Sequence, residues 1–307
     1  MSIYKPLSYW EIDTWFGNLD IIIIGGGIVG MNAAIRLAEK EPKLRIAMVE
    51  RSSLGTAAST RNAGFACYGS ISEIVDDLKH MDADEVFQLV AYRVKGLEVL
   101  KSIVGVENMQ YQQVGGYEMF IDENEFQTHL SRINEVNREL KKISPDLLYR
   151  HVRKNHSLRN IKGVIGNSWE AQIHPGEMVK TLRSICDKKG IRIITNAEVS
   201  CISPSETGFQ VQISDLSMHS KHVIVANNGF ASQLIDDIQV NPARNLVLLT
   251  NRIEGLSING CYHYDKGYVY FRNVGERVLI GGGRNLDTEG ETTTDFGSNN
   301  NIEKYLL

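Results

Sequence analysis

The sequence predicts an α/β protein: a mainly parallel sheet with covering helices, and a second α+β domain threaded through it. Three observations lead there. Residues 20–50 run from an apolar β-branched stretch through a helical stripe to a second apolar stretch. The same texture returns between about 176 and 226. The segments between carry shorter strand-like pieces and one polar helix.

Residues 20–24 (Asp-Ile-Ile-Ile-Ile) suit a parallel strand buried on both faces. Residues 29–40 read as a helix with Val29, Ala33, Ala34 and Leu37 on one stripe. Residues 45–50 form a second buried strand, which completes a βαβ unit. A helix at about 176–189, a strand at Ile191–Thr195 and another at His222–Ala226 are expected to extend this sheet. Residues 113–121 read as a strand, 124–143 as an amphipathic helix, and 244–283 as several strand pieces. Residues 285–301, rich in Thr, Gly and Asn, read as a loop. The expected boundaries are 18–105 and 166–235 for the first domain, 106–165 and 236–285 for the second, and a polar tail at 286–307.

The 307 residues, 42% of them hydrophobic, suffice for two cores. A net charge of −4, well mixed along the chain, argues against a nucleic-acid partner. Residues 1–10 show no basic stretch leading into an apolar run, and the apolar run at 21–24 is far too short for a bilayer. The expectation is a cytoplasmic protein without a transmembrane segment. Cys67, Cys186, Cys201 and Cys261 form no C-x-x-C pair, so they read as buried reduced thiols, and no metal site is expected.

Gly25-Gly26-Gly27-Ile28-Val29-Gly30 contains G-x-G-x-x-G directly after a strand and at the opening of a helix. In that setting Gly25 permits the tight turn, Gly27 lets a pyrophosphate approach, and Gly30 lets helix and strand pack closely. The free amides at the helix start then face phosphate. Glu50 ends the second strand, where a carboxylate accepts hydrogen bonds from ribose hydroxyls and repels a 2′-phosphate. The first domain is therefore Rossmann-like and binds a dinucleotide; this geometry leaves FAD and NAD open.

The next residues narrow the choice. Arg51-Ser52-Ser53-Leu54-Gly55-Thr56-Ala57-Ala58-Ser59-Thr60-Arg61-Asn62-Ala63-Gly64 resembles the second flavin motif of the D-amino-acid oxidase, glycine oxidase and sarcosine oxidase family. The form is nearest the gamma-glutamylputrescine oxidoreductase-like branch, as is the opening Leu7-Ser8-Tyr9-Trp10-Glu11. The resemblance implies a Rossmann-like FAD-binding domain with a threaded α+β substrate domain. It implies FAD contacts at Gly25, Gly27, Ile28, Val29, Gly30, Glu50 and Arg51. It extends them to Ser59, Thr60, Arg61, Asn62, Ala63 and Gly64, where small residues admit backbone donors and Arg61 adds positive charge. By the same likeness Val199 holds the adenine through its backbone, and Ala226, Asn227 and Gly229 close over the pyrophosphate. Some relatives attach the flavin through a histidine near the Arg61-Asn62 position; Arg and Asn stand here, which implies noncovalent FAD.

Residues 267–272 read Gly-Tyr-Val-Tyr-Phe-Arg. In a strand Tyr268, Tyr270 and Arg272 share one face. Two phenols and a guanidinium suit a carboxylate: Arg272 holds it bidentately and the tyrosines wall the pocket. These three are the candidate catalytic-face residues, with Tyr117, Arg252, Tyr262 and Tyr264 as lesser candidates. His174 reads as a turn or cap residue before a helix. No nucleophile–base pattern stands out, which fits chemistry carried by a flavin.

The implied activity is FAD-dependent oxidation of a small amine or amino acid at its CH-NH group. Oxygen, a quinone and a protein stay open as electron acceptors. A flavin dehydrogenase of a 2-hydroxy acid or polyol phosphate is the first alternative. A nonenzymatic FAD-binding or interaction protein, left inactive by truncation, is the second, because the family's last strand and its glycine-rich turn facing the flavin are expected to be missing; a fragment and a natively short chain both stay open. Weaker FAD binding is the expected consequence.

Overall fold

The computed structural model describes residues 7–54, 58–153 and 158–307. The chain divides into two compact units: unit 1 comprises Met1–Arg61, Gly176–Ala243 and Thr292–Thr294, and unit 2 comprises Asn62–Pro175, Arg244–Glu291 and Asp295–Leu307.

Unit 1 opens with α1 (Tyr9–Glu11), started by a capping box between Ser8 and Glu11. The apolar run becomes β1 (Leu19–Ile24), buried along its whole length. After the glycines come α2 (Ile28–Lys40) and β2 (Ile46–Val49). The buried stripe of α2 is Gly30, Met31, Ala34 and Ile35, and Val29 is exposed. The expected stripe is thus rotated, because Gly30 is the residue pressed against the strand.

The chain then enters unit 2 through β3 (Phe65–Ala66), α3 (Ile71–Asp77), α4 (Ala83–Val104), β4 (Gly116–Phe120) and α5 (Glu123–Ile143). Three further strands follow: β5 (Arg150–His151), β6 (Gly163–Asn167) and β7 (Ala171–Gln172). The helix α6 (Pro175–Lys188) returns the chain to unit 1, which adds β8 (Arg192–Ile194), β9 (Val199–Ser205), β10 (Gly208–Ile213) and β11 (Leu216–Val225). Unit 2 is finished by β12 (Leu246–Leu249), β13 (Cys261–Tyr264), β14 (Val269–Val274), β15 (Arg277–Gly282) and α7 (Asn300–Leu306).

The unit 1 sheet has the order β8-β2-β1-β11-β10-β9. Its first four strands pair in parallel, while β9, β10 and β11 form an antiparallel meander. The apolar signal at 222–226 marks only the end of β11. Its first half alternates Leu, Ser, Met, His and Ser, a half-solvated pattern set by the hairpin pairing with β10.

The unit 2 sheet has the order β12-β15-β14-β13-β4-β6-β5, and only β13 and β4 pair in parallel. One face carries stacked aromatics, Tyr117 on Tyr262 and Tyr262 on Phe271. The other is covered by helices: Ile71, Ile74, Val86 and Val90 pack with Phe126, Ile133, Val136 and Leu140 of α5. That common core moves residues 62–105 into unit 2. The unit boundaries therefore fall at Arg61/Asn62, Pro175/Gly176 and Ala243/Arg244 in place of 105, 165 and 235.

The polar tail holds more structure than its composition indicates. Ile302 and Leu306 of α7 bury against Val269, and the buried Glu291 pairs with the half-buried Arg244 at 2.8 Å. Two apolar residues four apart suffice to dock a short helix. Of the four cysteines only Cys186 and Cys261 are buried; Cys67 and Cys201 are exposed. Among the described residues no helix is long and apolar enough to cross a membrane, and no cluster of potential metal ligands occurs.

Candidate functional site

In unit 1 the glycine run turns the chain from β1 into α2. Gly25 has φ +111° and donates its N–H to Val49 O at 2.9 Å. A Cβ at Gly30 would lie 2.0 Å from Gly25 O, so only hydrogen fits there. Gly27 caps α2 without a side-chain bond, and the Ile28 N–H donates to Ser59 Oγ at 2.9 Å. The second flavin motif thus sets a hydroxyl oxygen on the first free amide of the helix, a place suited to a phosphate oxygen. Val29 points to solvent.

Glu50 is buried, and its two oxygens accept from the Gly26 and Ser52 N–H groups, both at 2.8 Å. Each carboxylate oxygen has a second lone pair, so the group is fixed in place with capacity left for hydroxyl donors. Arg51 stacks its guanidinium 3.8 Å above the Phe230 ring, and its exposed pair with Glu198 at 3.9 Å adds little. Val199 begins β9 and lines, with Glu198, Ser200, Ser214, Gln233 and Leu234, a cavity of about 320 Å³. Ala226 extends the β1–β11 ladder, donating to Ile24 O at 2.8 Å. Asn227 donates from Nδ2 to Phe230 O, while its buried Oδ1 has no partner. Gly229 packs on Pro242.

Of the second motif, Gly55, Thr56 and Ala57 lie outside the described residues. Ser59 and Thr60 sit in a turn, and Arg61 is exposed, its N–H donating to Ala58 O at 3.3 Å. Asn62 Oδ1 accepts from the Gly64 N–H at 2.8 Å, and Ala63 and Gly64 are buried.

In unit 2, β14 presents Tyr270 and Arg272 on the helix-covered face, while Phe271 joins the aromatic stack opposite. Arg272 is 7% exposed. Its Nη2 donates to Ile173 O at 3.0 Å, and its buried Nε has no partner. No carboxylate lies within 4 Å of it among the described residues, and burial lowers the affinity of the guanidinium for its proton. The Tyr270 hydroxyl accepts from Asn245 Nδ2 at 3.1 Å, and burial pushes its ionisation up. Phe65, the residue after Gly64, meets Tyr270 edge to face with ring centres 5.7 Å apart.

Tyr268 lies outside β14. It closes the turn between β13 and β14, where Asp265, Lys266 and Gly267 all have positive φ, and it is 41% exposed. Strand alternation ends at Val269, so the pattern Tyr268-Tyr270-Arg272 extends one residue too far. Among the lesser candidates Tyr117, Tyr262 and Tyr264 belong to apolar clusters, and Arg252 makes an exposed pair with Glu276. His174 is exposed and precedes α6. The sequence reading missed Phe65, Glu118, Glu170 and His263, all buried or half-buried near Tyr270 or Arg272. The only available signal was His263 inside the alternating strand Cys-Tyr-His-Tyr.

A cradle that a Cβ would fill, a helix-start amide met by the Ser59 hydroxyl and a buried fixed carboxylate fit a dinucleotide in unit 1. Comparison with known proteins identifies which. The "Probable oxidoreductase OrdL" of Haemophilus influenzae is 22% identical over 255 residues, 80% of this chain; the chain spans 57% of that relative's length. Glycine oxidase from Bacillus cereus superposes with a TM-score of 0.63 at 20% identity, over 86% of this chain and 70% of that one. Iminodiacetate oxidase from Chelativorans sp. BNC1 superposes with a TM-score of 0.71 at 18% identity, over 93% and 76% of the two chains. At such identities the likeness concerns the fold. The model of the FAD dependent oxidoreductase (DAO) family matches residues 20–306, from β1 into α7. This chain therefore belongs to the FAD dependent oxidoreductase family.

Proposed function

We propose that this chain oxidises a small amine or amino acid that carries a carboxylate. The observation that supports this most is Arg272: a buried guanidinium with an unpartnered Nε and no acidic neighbour among the described residues. Removing one partner of a buried charge pair is costly, so such a site gains most from an anionic ligand. A planar carboxylate matches the guanidinium fork in two contacts. Tyr270 and Phe65 form the wall beside it and keep water from the contact. Bound at that position, the substrate has its amine-bearing carbon fixed close to the carboxylate.

FAD, when bound, supplies a two-electron acceptor for the hydride leaving that carbon. In unit 1 Glu50 would hold the ribose, Gly25, Gly27, Ile28 and Gly30 would admit the pyrophosphate, and Ser59 would exchange the Ile28 amide for it. Arg51 and Val199 would flank the adenine. Ser52 and Gly26 keep the Glu50 carboxylate aimed while this happens. The cofactor is held without a covalent bond, so acid precipitation should leave the flavin in the supernatant.

The test is anaerobic mixing of the FAD-loaded protein with matched amines, amino acids and 2-hydroxy acids. Bleaching of the flavin band by an amino acid, and not by the matching hydroxy acid or the decarboxylated amine, is the expected result. Bleaching by the hydroxy acid alone would replace this reading with a hydroxy-acid dehydrogenase.

A further inference from the structure

The helix-covered face of the unit 2 sheet holds a second polar group beside Arg272. Strand register sets Glu118 of β4 opposite His263 of β13, and His263 opposite Tyr270 of β14. The three side chains therefore form one row, with His263 in the middle. Glu170 reaches the row from the loop before β7. That loop is pinned by Asn167, whose Oδ1 accepts from the Trp169 and Glu170 N–H groups at 3.1 and 2.9 Å. Gly116 leaves room for the carboxylate: a Cβ there would lie 1.9 Å from Glu170 Oε2. His263 Nε2 stands 3.2 Å from that oxygen, and a carboxylate only accepts, so the ring donates. Glu118 accepts from the Ser72 N–H at 3.0 Å and from the Ser72 hydroxyl.

Glu118, Glu170 and His263 are all buried. Buried together, two carboxylates and one imidazole favour an arrangement that holds protons over one that carries net negative charge. The local chemistry points the same way. Burial opposes a proton on His263, but the hydrogen bond and charge of Glu170, with Glu73 and Glu118 beyond, outweigh it and hold the imidazole above its ordinary value. Burial pushes the Glu118 carboxyl up. The phenols of Tyr149 and Tyr270 and the Cys261 thiol, which face the same space, are kept protonated by burial. That leaves His263, whose ordinary value lies near neutrality, as the switchable group of the row.

One residue links this cluster to the substrate face. The Phe65 ring lies edge to face on His263, centres 5.3 Å apart at 82°, and on Tyr270, centres 5.7 Å apart at 68°. In an edge-to-face pair the positive edge of one ring meets the negative face of the other, so a charge on the imidazole changes the strength of its contact with Phe65. Phe65 is also tied to Arg272 through the backbone: the preceding Gly64 carbonyl accepts from the Ile173 N–H, and the Ile173 carbonyl accepts from Arg272.

We propose that His263 is a positioning residue: as an imidazolium paired with Glu170 it holds Phe65 and Tyr270 as the wall beside Arg272, so carboxylate binding weakens when the imidazole loses its proton. The proposal rests on the reading of Arg272 as a carboxylate holder. The probe is benzoate, a carboxylate with no amine to oxidise, titrated calorimetrically into the FAD-loaded full chain from about pH 6 to about pH 9, the range a shifted histidine spans. The protonation of His263 is followed in the same samples by ¹H–¹⁵N NMR.

Wild type should lose about tenfold in affinity as His263 releases its proton, a factor of ten being about 1.4 kcal/mol. His263→Gln should bind weakly at every pH, with a flat profile. Glu170→Gln should move the imidazole titration to lower pH, and the binding profile should move with it; a merely structural role would not produce that joint displacement. Arg272→Lys should be weak throughout. A binding constant that stays flat while the imidazole titrates overturns the proposal, as does a Glu170→Gln chain whose NMR titration moves without its binding. Should His263→Gln not fold, the wild-type and Glu170→Gln series decide. A wild type that binds no benzoate at any pH overturns the reading of Arg272 and this proposal together. Wild-type binding that Arg272→Lys weakens and His263→Gln leaves unchanged overturns this proposal alone.

Discussion

The glycine cradle of unit 1 and the polar face of unit 2, proposed as cofactor and substrate sites, are built by opposite means. The cradle works through backbone: N–H groups of Gly26, Ile28 and Ser52, positioned within residues 25–59. The polar face works through side chains that arrive from β3, β4, β13, β14 and the loop before β7, up to 207 residues apart in the chain from Phe65 to Arg272. A backbone site is specified by what is missing, since each glycine marks where a Cβ would collide. A side-chain site is specified by strand register, which no single stretch of sequence displays.

The comparison can be broken most forcefully at Gly30. Gly30→Val sets carbon against Gly25 O and should push α2 off β1. Overpacking of this kind costs about 1–3 kcal/mol and sometimes more. FAD uptake, read from flavin absorbance after dialysis, should be lost. A Gly30→Val chain that takes up FAD as wild type does would end the idea that the cradle recognises by close backbone approach.

Arg272→Lys tests the other side. Charge is kept but the two-pronged contact is not, so flavin reduction by an amino acid should fall by about 1.5–3 kcal/mol of activation free energy. FAD content and the denaturant midpoint should change little. Equal losses for an amino acid and its decarboxylated amine would show that Arg272 does not meet the carboxylate.

Glu50→Gln should weaken FAD by about 1–3 kcal/mol, because the Gly26 and Ser52 N–H groups meet different carboxylate oxygens and the amide NH2 that replaces one of them cannot accept. Isothermal titration of the cofactor-free protein measures it. Undiminished affinity would remove Glu50 from the site.

A smaller effect separates the units by pH. His263 and Glu118 both bind protons more tightly when folded. The stability contributed by His263 is complete below its unfolded value, near 6.5, and declines as pH rises through its folded value. The stability read from denaturant unfolding should therefore drop as pH rises above about 6.5, by at most about 1.4 kcal/mol per pH unit for each proton released. The carboxylates held low by ion pairs, Glu39, Asp76 and Glu291, contribute only to acid loss below that window. His263→Gln should flatten the slope; an unchanged slope would assign it to other groups. The least change is expected from Arg252→Ala, which removes an exposed pair with Glu276 and should cost at most about 1 kcal/mol in the denaturant midpoint.

The legibility of each element follows the range of the forces that shape it. β1, α2 and β2 were readable because a strand buried on both faces must be apolar throughout, and a close turn must be glycine. The α5 helix was readable from its stripe, with Phe126, Ile133, Val136 and Leu140 all buried. The meander β9–β10–β11 was only partly readable, since half-exposed strands dilute the apolar signal with Ser, His and Lys. The role of α7 was hidden for a related reason: two buried residues carry it, and the polar residues around them dominate the composition. Tyr268 was misplaced because alternation says which residues share a face but not where the strand begins.

By itself, then, the sequence determined the glycine turn between strand and helix, the carboxylate Glu50 at the end of the next strand and the family resemblance, because these depend on local sterics and on a spacing of strand, turn and helix. Only the tertiary structure decided that Arg272 is buried with Nε unpartnered, and that Glu118, Glu170 and His263 meet beside Tyr270. The physical reason is that cross-strand pairing brings together residues from β4, β13 and β14, and burial then sets their charge; neither register nor burial is encoded in any one of those segments alone.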